Sequence, residues 1–166
     1  IADAVGIRGS SIYHHFPSKL DLLHAIALDS TQTFIETQLP SLDDSLPYAE
    51  QLRGLLHAHV VYFHEHRLEE AVGLRELQEL RTNAPERYIA IQTIRRSYQD
   101  AIEGKIKAGM AKGEFTCPDA RLATMAVLGM VNSVNDWFAE GGRLSIEEVA
   151  ESFSSMAVDR ILGAAH

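Results

Sequence analysis

Two groupings of side chains are dense enough in donors, acceptors and ligating atoms to do chemistry. The first is Arg8, Ser10, Ser11, Tyr13, His14, His15 and Lys19, a short run of hydroxyls, imidazoles, a phenol and two cations suited to multipoint hydrogen bonding. The second is His57, His59, His64 and His66. On a helix, residues two apart point away from each other. His57 and His64, seven apart, share a face but are too far apart for one ion without further ligands. His64-Glu65-His66 is shorter than the zinc-protease spacing, and no Glu-x-x-His occurs to build a di-iron bundle. No metal and no cofactor are therefore expected. With neither a nucleophile elbow nor a glycine-rich phosphate loop in the sequence, there is no catalytic candidate, and the chain reads as a non-enzyme.

The elements that must position these residues are helical throughout, because apolar residues recur with a helical period and turn-bounded β-branched runs are scarce. An all-α protein is expected. Residues 1–5 read as a helix end closed by Gly6, and residues 9–15 as a short helix broken by Pro17. Ser18 then caps a helix running to about Leu39 with Leu20, Leu23, Ala27 and Phe34 on one face. The Pro40 to Pro47 segment reads as a linker, dividing the chain into 1–39 and 46–166. Beyond it we expect helices over 47–65, with Leu52, Leu55, Leu56, His59 and Phe63 on one face, then over 69–81 and over 85–112. Lys112 and Gly113 suit a helix C-terminus. A helix over 118–140, apolar nearly all round, needs cover on more than one side. The last helix, over 145–162, opens on Ser145 with Glu148 three residues on.

With 166 residues and 46% apolar content the chain can bury a substantial core, while a net charge of −8 offers no bulk attraction to polyanions. One cysteine, Cys117, excludes a disulfide framework and makes a reducing cytoplasm the default expectation. The longest apolar stretch, Leu122 to Val131, is too short to span a bilayer, so no membrane partner is expected.

Helix, glycine turn, short polar helix and capped helix in succession form the back half of a helix-turn-helix unit, whose second helix enters the DNA major groove. The residues Ile1, Ala2, Gly6, Tyr13, His15, Phe16 and Lys19 resemble the DNA-binding domain of TetR-family transcriptional repressors. Arg8 stands where the family usually opens its recognition helix with Ser or Thr, and Ser10 where Gly is frequent. Ser10, Ser11 and His14 suit base edges, whereas Tyr13, His15 and Lys19 suit phosphates, Lys19 beside the amides of a helix start. The resemblance implies a partial reading head over 1–39, with the family's first helix and compensating positive charge lying upstream of Ile1. Residues 1–38 hold only two basic and four acidic groups.

The family resemblance also implies that 46–166 is a helical-bundle domain for ligand binding and dimerisation, so that a homodimer reads a palindromic operator and a small molecule releases it. The apolar 118–140 helix and the final helix suit a four-helix interface with a second copy. Leu122, Met125, Ala126, Gly129, Ser133, Phe153, Met156 and Ala157 are its candidate residues. Between Tyr62 and Gly142, the runs Gly-Leu-Arg-Glu-Leu, Arg-Arg-Ser-Tyr, Leu-Gly-Met-Val-Asn and Asp-Trp-Phe resemble the branch that senses acyl-CoA thioesters of fatty-acid or sterol breakdown. That resemblance implies an apolar tunnel lined by Phe63, Tyr98, Met130 and Trp137, with Arg75, Arg95 and Arg96 holding the CoA phosphates. The competing reading is a helical small-molecule-binding or metal-sensing bundle without sequence-specific DNA binding.

Overall fold

The computed structural model describes residues 16–67 and 77–164, and every regular element among them is helical. The candidate residues Arg8, Ser10, Ser11, Tyr13, His14, His15 and Arg75 lie outside the described residues. None of the described helices is long and apolar enough to cross a membrane.

Helix α1 spans Lys19–Gln38 and starts at Ser18, whose hydroxyl accepts the Asp21 amide at 3.1 Å. That bond satisfies one of the helix's orphan amides. A 3-10 turn over Leu39–Ser41 follows, Pro40 being unable to continue the amide ladder. Helix α2 is Tyr48–Glu65 and α3 is Pro85–Lys112, with residues 77–83 helical between them. At the end of α3, Glu114 N–H reaches the Gly109 carbonyl and Gly113 N–H the Met110 carbonyl. This Schellman closure requires the left-handed φ of 77° that Gly113 adopts.

The expected 118–140 helix is instead two pieces, α4 over Ala120–Asn132 and the single turn α5 over Val134–Trp137. At the junction the Ser133 hydroxyl bonds the Met130 carbonyl at 2.7 Å, the back-bonding by which Ser bends a helix. Helix α6, Ile146–Met156, opens with both halves of a capping box, Ser145 to Glu148 and back, and passes into a π turn over Ala157–Ile161. The expected helix over 145–162 therefore changes pitch at Ala157.

Helix α2 occupies the centre, packing on α6, α3, α4 and α1. Its Leu52, Leu55, Leu56 and Val60 are fully buried beside Ile102 and Ile106 of α3 and Val127 and Val131 of α4. Arg53 fastens the chain's end to this core, reaching Asp159 at 2.9 Å and Ser155 at 3.1 Å. A second, smaller core joins Ala27, Leu77, Leu80 and Ile91, with Leu20 and Tyr88 against it. Helix α1 thus bridges two cores. Its first half sits on the small one, and its second half, through Phe34 and Ile35, sits in the large one.

Candidate functional site

Where α1, α2, α3, α4 and α5 converge they leave a cavity of about 450 Å³. That is within the ~300–1,000 Å³ common to small-molecule sites. Helix α1 contributes Thr31, Phe34 and Ile35, α2 His59 and Phe63, and α3 Gln92, Arg95, Tyr98 and Gln99. Leu128, Gly129, Asn132, Ser133 and the α5 residues Asn135 and Asp136 close the other wall.

The interior is aromatic. Phe34 stands at the centre, its ring 5.0 Å from those of His59, Phe63 and Tyr98 and 5.3 Å from Tyr62. The His59 and Tyr98 contacts are edge-to-face, the arrangement a ring quadrupole favours.

A hydrogen-bond relay runs through this aromatic wall. The Nε2 of His59 lies 2.9 Å from Asn132 Oδ1, and Nδ1 lies 3.0 Å from the Tyr98 hydroxyl. An amide oxygen can only accept, so Nε2 carries the ring hydrogen and Tyr98 donates to Nδ1. Burial pushes His59 down to about 4, against the opposing hydrogen bond to Asn132, so the ring is neutral near pH 7. Burial also pushes the Tyr98 phenol well above its ordinary range, keeping it protonated as a donor.

Of the sequence-predicted ligand residues, Phe63, Tyr98 and Arg95 line the cavity. Arg95 precedes Tyr98 by one turn, placing a cation on the same helical face. Met130, Arg96 and Trp137 do not line it. Met130 packs against the main core, Arg96 is exposed, and Trp137 is 51% exposed with its ring 5.7 Å from that of Phe153. Trp137 ends the single turn that follows the break at Ser133. Sequence reasoning missed Asn132 as a lining residue and took His59 only as core or candidate metal ligand. The available signal was a titratable residue in an apolar register, which needs hydrogen-bond partners when buried. No group of three or more His, Cys, Asp or Glu able to hold a metal occurs among the described residues.

Among the candidate interface residues, Leu122, Met125 and Met156 are 65%, 58% and 48% exposed, and Ala126 is exposed too. Phe153 is half-buried. Gly129 and Ser133 reach the cavity wall, and Ala157, contrary to its expected place at an interface, is wholly enclosed in the chain's own core. Among the described residues, α4 thus buries Ala123, Val127, Leu128 and Val131 on one side and leaves Leu122 and Met125 exposed on the other. Lys19, expected at phosphate, is exposed and stands 2.9 Å from Glu79, a link from the start of α1 to the 77–83 segment.

Residues 45–161 match the family model of the tetracyclin repressor-like C-terminal domain, and residues 1–26 match that of bacterial regulatory proteins of the tetR family. The chain belongs to the TetR family. It is 25% identical over 162 residues to the HTH-type transcriptional repressor KstR2 of Rhodococcus jostii (strain RHA1), covering 96% of this chain and 78% of that one. A tetR-family bacterial regulatory protein from Rhodococcus RHA1 superposes with a TM-score of 0.87 at 25% identity, over 99% of this chain and 85% of that one. The structure of AibR in complex with isovaleryl coenzyme A and operator DNA superposes with a TM-score of 0.81 at 26% identity, over 93% and 83%. This TetR-family regulator thus has the all-α architecture of its relatives, with the tetR-family signature at its start and a cavity walled by α1 together with helices of the C-terminal domain.

Proposed function

We propose that this TetR-family regulator is a ligand-responsive repressor that binds a palindromic operator as a homodimer and is released by an acyl-CoA. The observation that carries the reading is the position of the cavity against α1. Thr31, Phe34 and Ile35 are cavity wall, while the same helix begins at Lys19, directly after the reading segment. A ligand that displaces the second half of α1 moves its first half on the small core of Ala27, Leu77, Leu80 and Ile91. The spacing of two reading helices then no longer matches successive major grooves. The shift is limited to the ligand's differential affinity for the two states.

Arg8, Ser10, Ser11, Tyr13, His14, His15 and Lys19 are the proposed DNA contacts. Phe63 and Tyr98 line the acyl end of the cavity; Arg95 in its wall, Arg96 outside it, and Arg75, which lies beyond the described residues, are assigned to the CoA phosphates. The exposed apolar residues Leu122, Met125 and Ala126 of α4 and Met156 of α6, with Phe153, are the proposed dimer face. The complex of AibR with isovaleryl coenzyme A and operator DNA supports the pairing of these two ligands in one fold.

The test is titration of operator-bound protein with an acyl-CoA series. Release of DNA together with a raised thermal midpoint is expected; no change well above micromolar ligand contradicts the acyl-CoA reading. Unchanged DNA affinity and salt dependence in a Tyr13→Phe, Lys19→Ala double variant would contradict the assigned phosphate contacts.

A further inference from the structure

The relay Tyr98 to His59 to Asn132 has a direction, and that direction decides what its free end offers. Tyr98 donates to Nδ1, and Nε2 donates to Asn132 Oδ1. Because an amide is planar, pinning Oδ1 against His59 fixes Nδ2 as well. Nδ2 carries two hydrogens and has no hydrogen-bond partner among the described residues. Asn132 lines the cavity and is itself exposed, so the wall holds an oriented donor that is open to water and met by no group of the described residues.

We infer that Asn132 is a specificity residue that donates from Nδ2 to an uncharged acceptor of the effector, the thioester carbonyl oxygen, with His59 and Tyr98 as positioning residues. The inference rests on the acyl-CoA reading above. An uncharged acceptor is favoured over a carboxylate because the imidazole beside Asn132 is neutral and Asp136 stands in the same wall. Among the described residues that line the cavity Arg95 alone is a guanidinium or ammonium cation; it stands one turn from Tyr98 and takes the anionic end.

The experiment compares an acyl-CoA thioester with the S-alkyl-CoA thioether of the same chain, in which a methylene replaces the carbonyl. A donor that water meets in the free protein, and that a bound thioether would cover and leave unmet, costs about tenfold or more in affinity. The protein should therefore prefer the thioester by that factor. Asn132→Asp keeps an acceptor for His59 Nε2 and removes the donor, so it should bring the preference to near unity. Its carboxylate should also raise the His59 titration seen by NMR, and Tyr98→Phe should leave an intermediate preference. Equal binding of both compounds by the unaltered protein overturns the inference, as does a preference that survives Asn132→Asp or a His59 titration that does not move. Binding of neither compound is a different pattern, and it removes the acyl-CoA reading and this inference together.

Discussion

At the scale of single residues, His59 is where burial, hydrogen bonding and the site meet. In the unfolded chain it titrates near the usual 6.5, whereas in the folded chain burial holds it near 4. Between those values the unfolded state binds a proton that the folded state does not, so its contribution is intact above 6.5 and is lost as pH falls toward 4. The loss is about 1.4 kcal/mol per pH unit in that window. Denaturant unfolding at pH 7 and pH 5 should show it, and His59→Gln should flatten the dependence; equal slopes in both proteins would mean that His59 is not buried neutral. The apolar-face register of His59 was legible in the sequence, as were Phe63, Tyr98 and Arg95. Its partner Asn132 was not, because periodicity says which face a side chain occupies but not which residue of a distant helix meets it, here 73 positions along the chain.

At the scale of elements, two glycines of α3 separate local propensity from packing. Gly104 is exposed with nothing within 4 Å of an added Cβ, whereas an added Cβ at Gly109 would stand 2.3 Å from the Phe115 ring. Gly104→Ala should stabilise by up to about 1 kcal/mol through helix propensity alone. Gly109→Ala should instead destabilise by about 1–3 kcal/mol, since the buried ring must move. Thermal midpoints of the two variants check this, and a shift of the same sign in both would contradict the packing at Phe115. Caps and stops were largely readable beforehand: Ser18, Gly113 and the Ser145–Glu148 box all act where their chemistry predicts. The break at Ser133 and the π turn after Met156 were not, because both interrupt runs whose apolar period continues through them. Those same runs carry Trp137 away from the cavity and enclose Ala157.

At the scale of the whole molecule, the all-round apolarity of α4 divides into two roles. Ala123, Val127, Leu128 and Val131 fill the chain's own core, while Leu122 and Met125 stand exposed. On the proposed dimer, Met125→Glu places a carboxylate in each copy of an apolar interface, so the protein should elute as a monomer and lose most operator affinity while keeping its helical content. An unchanged elution volume would move the interface elsewhere. The net charge of −8 argues against nucleic acid only for the sum of the chain, and the tetR-family signature over residues 1–26 shows how little a bulk charge says about a local reading head. Helix α1, shared between the two cores and forming one wall of the cavity, is the physical link on which the regulatory reading depends. The most direct test of that reading is operator affinity measured at fixed salt against increasing acyl-CoA. The account predicts DNA affinity falling at least tenfold as ligand saturates. An affinity that stays constant while ligand binding is independently observed would contradict it.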